Sequence, residues 1–93
     1  VLENKKIVLA KFFGTWCMPC KMLSGVLEQV KDKVGDNYEV YKLDIDKNEA
    51  LAKELGVMTV PTMLIYNNGV EKERLVGFRQ APQIIKALEQ ANN

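Results

Sequence analysis

The sequence predicts an α/β domain, a mixed β-sheet flanked by helices with its elements in the order βαβαββα. Three observations carry that expectation. Residues 7–13, Ile-Val-Leu-Ala-Lys-Phe-Phe, are apolar on both parities except at Lys11, as in a strand covered on both faces. From Pro19 onward Met22, Leu23, Val26, Leu27, Val30 and Val34 recur at three- and four-residue spacing, the period of an amphipathic helix. Asn67-Asn68-Gly69 then separates two strand-like segments, and Asn-Gly supplies the positive φ angles that a tight hairpin turn needs.

The first strand runs over residues 7–13, and the helix behind it opens at Pro19, where a missing N–H costs nothing, and closes near Gly35. Gly25 lies mid-helix at a cost of about 1 kcal/mol relative to alanine, so a bend or close packing is expected there. Tyr38 to Asp44 alternates and is rich in Val, Tyr and Leu; it returns through the helix and so lies parallel to the first strand. Asn48 is placed to cap a short helix through Leu55, closed by Gly56. Thr62 to Tyr66 and Glu71 to Val76 form the hairpin. Ala81 or Pro82 opens the last helix, with Ile84, Ile85 and Leu88 on its buried face. The chain holds no repeat, linker or low-complexity segment.

Composition excludes several classes of function. Thirteen Lys and Arg against twelve Asp and Glu give a net charge of +1 with the charges scattered, so neither a nucleic-acid face nor a membrane-binding basic patch is expected. No apolar run is long enough to span a bilayer, and the start VLENKKIVLAKFF lacks a signal-peptide core, so a soluble, cytoplasmic chain is expected. The absence of histidine removes a Cys-His nucleophile pair, histidine ligation of metal and histidine as a general base.

Both cysteines lie in FFGTWCMPCKM, behind the only tryptophan. As a staple, a Cys17–Cys20 bond closes so small a loop that it contributes only roughly 2 kcal/mol, and a domain of this length needs none. As a metal site, two thiolates without histidine supply half of a tetrahedral set, so a second subunit or an added thiol would be required. As a redox pair, the spacing uses every local feature. One helical turn sets the two Cα atoms about 5–6 Å apart, within disulfide range. Cys17, ahead of the helix, receives unpaired N–H groups and the positive end of the macrodipole, which favour thiolate and make it the nucleophile. Cys20, one turn inward and less exposed, is the resolving thiol.

Trp16-Cys17-Met18-Pro19-Cys20-Lys21 resembles the WCGPCK signature of the thioredoxin family. The resemblance continues through Lys42-Leu43-Asp44-Ile45-Asp46, Val60-Pro61-Thr62, Asn68-Gly69 and Val76-Gly77, and so covers nearly the whole chain. CxxC alone is only suggestive, but CxxC after a strand with Val-Pro-Thr at this distance is specific. The resemblance implies a thiol–disulfide oxidoreductase that reduces protein disulfides through Cys17 attack and Cys20 resolution, with a redox-active Cys17–Cys20 disulfide between turnovers. It implies no bound cofactor and no metal, electrons from NADPH through thioredoxin reductase, and a monomer whose partners are that reductase and disulfide-containing proteins. It further implies that Pro61 follows a cis peptide bond and lies against the cysteine pair, and that the backbone at Val60 pairs with an extended substrate segment. Gly77 would leave room for the substrate backbone, while Trp16, Met18, Val60 and Phe78 would supply an apolar docking rim. Met22 and Met63 are expected in the core. Three alternatives stand beside this reading: a glutathione-linked or iron–sulfur-bridging glutaredoxin-like protein, a thiol-oxidising or isomerase member of the family, and a non-catalytic binding module. Members with oxidising or isomerising tasks usually carry histidine between the cysteines, and this chain has none.

Four departures from the family pattern matter. The single domain, residues 1–93, is short at its N-terminus, so four strands in the order 2-1-3-4 are expected, with a fifth, short edge strand from the first residues left open. Gly25 stands where many relatives have a kinking proline. Met18 replaces glycine between the cysteines, adding apolar bulk and an oxidisable thioether, and with Pro19 it tunes the redox poise. Lys11 stands where the family usually has a buried Asp that accepts or relays the resolving thiol's proton, accompanied by a lysine that corresponds to Lys42. A buried ammonium is costly unless paired, and Asp44 on the neighbouring strand is the expected counter-ion. Lys11 would then pair with Asp44, or lift its head to water, and favour the Cys20 thiolate electrostatically; the alternative is a lysine that snorkels to solvent with no catalytic part.

Overall fold

A computed structural model describes residues 7–35 and 38–92. The elements are β1 (Ile7–Phe13), α1 (Met18–Val34), β2 (Glu39–Asp44), α2 (Glu49–Glu54), β3 (Thr62–Asn67), β4 (Val70–Val76) and α3 (Ala81–Ala91), the predicted βαβαββα order. They form a four-stranded sheet in the order β2-β1-β3-β4, with β1 parallel to β2 and antiparallel to β3, and β3 antiparallel to β4. The fifth edge strand left open by the sequence would fall on residues 1–6, outside the described residues.

The central strand β1 explains its own composition. On one face Ile7 and Leu9 join Leu23, Val26, Leu27 and Val30 of α1 and Ile84 and Leu88 of α3. On the other, Ala10 and Phe12 pack with Leu64, Val57 and Ala52 of α2. A strand roofed on both sides must be apolar at both parities. Lys11 shares the parity of Leu9 and therefore faces α1.

The buried stripe of α1 is Cys20, Leu23, Val26, Leu27 and Val30. Met22 falls outside it and is 58% exposed, so its expected place in the core is corrected: one residue from Leu23 it is turned about 100° away from the sheet. Met63 is fully buried as expected. Gly35 closes α1 at φ 76°. Above Gly25 a side chain would meet nothing within 4 Å, so no close neighbour requires glycine there. Gly25→Ala is therefore expected to stabilise the domain by about 1 kcal/mol, read as a rise of about 4–8 °C in thermal unfolding of the oxidised protein.

Asn48 stands at the N-cap of α2, but its side chain makes no capping bond; its amide donates instead to the Asp44 carbonyl at 2.9 Å, tying the helix start to the end of β2. In the hairpin Asn68 and Gly69 take φ values of 56° and 87°, the left-handed pair a two-residue turn demands. α3 opens with a capping box between Gln80 and Gln83, and it buries Ala81, Ile84, Ala87, Leu88 and Ala91, with Ile85 only partly buried at the margin.

Candidate active site

The site gathers at one end of the sheet. Phe13 at the end of β1 lies in register with Asp44 at the end of β2, Phe12 with Thr62, and Thr62 with Val76. The loops carrying Cys17, Asp46, Pro61 and Gly77 therefore leave from the same edge.

Cys17 is the N-cap of α1 with extended backbone angles; its N–H donates to the Gly14 carbonyl at 3.1 Å, and Pro19 occupies the first turn. Cys17 and Cys20 are joined by a disulfide with their Cα atoms 5.3 Å apart. The Cys17 Sγ accepts the Cys20 N–H at 3.2 Å, one of the orphan donors of the helix start. In the disulfide both cysteines are buried, Cys17 4% and Cys20 2% exposed, so the expected difference in exposure is small. What distinguishes them is electrostatic. Cys17 faces the N–H end of α1, and the backbone of Cys20 faces a lysine.

That lysine is Lys11, 2% exposed, with its Nζ donating to Ser24 Oγ at 2.8 Å and to the Cys20 carbonyl at 3.2 Å. The Ser24 hydroxyl in turn donates to the same carbonyl at 3.4 Å. Both sequence expectations for Lys11 are corrected. It does not pair with Asp44, whose Oδ1 accepts the Asp46 N–H at 2.9 Å, and it does not snorkel to water. The physical reason is α1: Cys20 and Ser24, one turn apart, present two oxygens directly above Lys11. Its register neighbour across the sheet is the exposed Lys42. Burial, and then repulsion from Lys42, hold the Lys11 pKa below its ordinary value of 10.5. A cavity of about 310 Å³ borders this group, lined by Lys11, Thr15, Cys20, Lys21 and Ser24 among others.

The opposite wall is held by backbone. The Val60–Pro61 peptide is cis, and the Pro61 carbonyl accepts the Gly77 N–H at 2.8 Å. Gly77 sits at φ 92°, a conformation that L side chains rarely adopt, so Gly77→Ala is expected to cost about 1–2 kcal/mol in chemical denaturation. Thr62 Oγ1 donates to the Thr59 carbonyl at 2.7 Å. Val60 packs partly against the α2-side cluster and Phe78 against the α1-side cluster, so both candidate rim residues also serve the core.

Trp16 is 66% exposed and donates its indole N–H to Asp46 Oδ2 at 3.0 Å. Gly14 lies beneath the ring: a Cβ there would stand 2.8 Å from it. Gly14→Ala is accordingly expected to swing the indole off Asp46, shifting the emission of the only tryptophan without loss of the fold. Met18 is exposed beside Trp16 in sequence, and Met22 and Met58 are exposed as well.

Four participants escaped the sequence reading. Ser24 carried a signal, a small polar residue one turn after the second cysteine on the helix above a strand lysine. Asp46 lay inside the family-like Lys42–Asp46 run without an assigned partner. Arg74 donates to the Leu55 and Gly56 carbonyls at 2.8 and 3.4 Å while paired with Glu71 at 2.9 Å, and nothing in its strand pattern pointed to that reach. Met58, two residues before Val60, is the most exposed large apolar side chain among the described residues and reads in sequence as an ordinary loop residue.

A disulfide at a helix start, on a four-stranded mixed sheet with a cis-proline loop at the same edge, defines a thiol–disulfide oxidoreductase. The thioredoxin family model matches residues 1–90. The chain belongs to the thioredoxin family. It is 42% identical over 76 residues to the thioredoxin of Bacillus subtilis, covering 82% of this chain and 73% of that protein. With the thioredoxin of Mycolicibacterium smegmatis the identity is 38% over 93 residues, 98% of this chain and 83% of the relative. A bifunctional thioredoxin reductase/thioredoxin of Mycobacterium leprae is 38% identical over 88 residues, 95% of this chain and 19% of that longer protein. Among solved structures, a mutant thioredoxin from Halobacterium salinarum superposes with a TM-score of 0.86 at 33% identity, covering all of this chain and 80% of that one.

Among the described residues no cluster of three or more His, Cys, Asp or Glu is placed to hold a metal ion, and no helix is long and apolar enough to cross a membrane.

Proposed function

We propose that this oxidoreductase reduces protein disulfides with Cys17 as the attacking and Cys20 as the resolving sulfur. The observation that carries the assignment is the N-cap position of Cys17, whose sulfur accepts a helix N–H at 3.2 Å and so is the better thiolate. Cys17 thiolate attacks the substrate disulfide, forms a mixed disulfide and releases the first substrate sulfur. Cys20 then attacks the Cys17 sulfur, restoring the Cys17–Cys20 bond and releasing the second. The Val60 backbone before Pro61 pairs with the extended substrate segment, Gly77 leaves space for its chain, and Trp16, Met18 and Phe78 line the approach. Lys42 and Asp44 flank the site in its electrostatic surroundings.

The chain works as a single domain and as a monomer, in the cytoplasm, with no bound cofactor. Its electrons come from NADPH through a thioredoxin reductase. The Mycobacterium leprae protein, which by its name joins a thioredoxin reductase and a thioredoxin in one chain, supports that pairing. Reduction of a disulfide-bonded protein by dithiothreitol, followed with and without catalytic amounts of this chain, tests the function. A rate no faster than that of the thiol alone would sink it.

A further inference from the structure

We propose that Lys11 changes its protonation with the redox state of the cysteine pair, holding its proton loosely opposite the Cys17–Cys20 disulfide and tightly once Cys20 is a thiolate, so that reduction loads a proton onto Lys11. The proposal rests on the thiol–disulfide exchange activity above and deepens it, since it makes a residue outside the CxxC motif a positioning residue for the resolving sulfur.

The geometry of the oxidised site points this way. Lys11 Nζ has two acceptors, Ser24 Oγ at 2.8 Å and the Cys20 carbonyl at 3.2 Å, and no others among the described residues. A neutral amine has two N–H donors and an ammonium has three. The acceptor count matches the amine; the third N–H of the ammonium would have only the Phe13 ring, whose centroid is 6.0 Å away. The group is almost wholly out of water, where a charge without a counter-ion is expensive.

The charged and titratable groups around it come from each packed element. β2 contributes Lys42 as register neighbour and Asp44, whose Oδ1 is turned to the Asp46 N–H. α1 contributes Cys20 and Lys21, both lining the bordering cavity, and β3 contributes only the apolar Met63 in register. Among the described residues no carboxylate meets the amine. Burial and Lys42 both act against its proton while the cysteines are joined. Reduction places a new anion at Cys20, the one residue whose backbone Lys11 already holds. By linkage the thiolate raises the proton affinity of Lys11, and the Lys11 ammonium lowers that of Cys20.

Atoms and electrons balance. A donor dithiol gives two electrons to the Cys17–Cys20 bond and becomes a disulfide; its two protons go one to a cysteine sulfur and one to Lys11. When the protein reduces a substrate disulfide, Cys17 attacks one substrate sulfur and the substrate S–S bond breaks, the first sulfur leaving with the proton that Cys17 gives up; Cys20, kept as thiolate by the Lys11 ammonium, then attacks the Cys17 sulfur and breaks the mixed disulfide. The substrate's second sulfur leaves as a thiolate, and the Lys11 proton passes to solvent by way of the bordering cavity and ends on that sulfur.

The test is the pH dependence of the reduction potential, measured by equilibrating the full chain with thiol–disulfide buffers. Between the two proton affinities of Lys11 the wild type is expected to take up two protons per two electrons, one on a cysteine sulfur and one on Lys11. Lys11→Arg, which keeps a charge it cannot release and holds Cys20 as thiolate in its reduced form, is expected to take up one proton fewer, while Lys11→Met takes up two, both on sulfur. Equal slopes in wild type and Lys11→Arg would overturn the proposal. A second measurement needs no variant: the 13Cε resonance of Lys11, followed by NMR, is expected to titrate at higher pH in the reduced protein than in the oxidised one, and identical titrations would overturn the proposal. Neither readout depends on catalysed turnover, so an inactive but proton-coupled chain would refute the function and leave this inference standing.

Discussion

Cys17→Ser is expected to bring catalysed disulfide reduction down to the rate of the free thiol, a loss on the order of a thousandfold or more, because the remaining thiol, Cys20, lies one turn inward in the buried stripe of α1. Cys20→Ser should behave differently. It keeps the attacking sulfur at the helix start but removes the group that breaks the intermediate, so Cys17 is expected to remain bonded to substrate. Mass spectrometry after one turnover reads this directly: a stable adduct at Cys17 in Cys20→Ser and none at Cys20 in Cys17→Ser. The reverse pattern would exchange the two roles.

Lys11→Met is expected to stabilise the oxidised protein near neutral pH by about 1–4 kcal/mol, since it replaces a buried ionisable group without a counter-ion by an apolar chain of similar length. The sign follows from the direction of the shift. Lys11 is held below its ordinary value of 10.5 in the folded chain, so between the folded and unfolded pKa values the unfolded chain binds more protons. In that window wild-type stability rises with pH. Below the folded pKa the full cost of burying the charge is present, and above 10.5 it is gone. Denaturation midpoints of wild type and Lys11→Met should therefore converge as the pH is raised toward 10.5. A gap that stayed constant with pH would mean that packing, and not charge, makes the difference. Stability gained together with a lost hold on the Cys20 thiolate is the usual cost structure of a functional group placed in a core.

The fold was legible in the sequence wherever a periodic pattern met a stop signal. The two-parity apolar run of β1, the stripe of α1 ending at Gly35 and the Asn68-Gly69 turn each combine periodicity with punctuation, and each lies where predicted within a residue or so. Met22 was misplaced because it lies at the edge of the α1 stripe, where apolar character alone does not say which way a side chain faces. The cysteine pair was legible because its chemistry depends on local spacing. The surroundings of Lys11 were not, because its partners are one side-chain oxygen and one carbonyl on a helix nine and thirteen residues away. Complementary charge pointed to Asp44 on the next strand, but oxygens above the strand were nearer. The reach of Arg74 to the end of α2 escaped for the same reason, since backbone acceptors carry no residue signature.

The loop that carries Pro61 is fastened along its whole length. Arg74 grips the Leu55 and Gly56 carbonyls at its start, Thr62 ties back to Thr59 within it, and Gly77 holds the Pro61 carbonyl at its end. On the proposed pairing of the Val60 backbone with an extended substrate, that edge arrives already ordered. The partner then bears nearly all of the ordering entropy of the encounter, so unfolded or flexible disulfide-bearing segments and rigid ones should differ in affinity by what the partner, and not this protein, must give up.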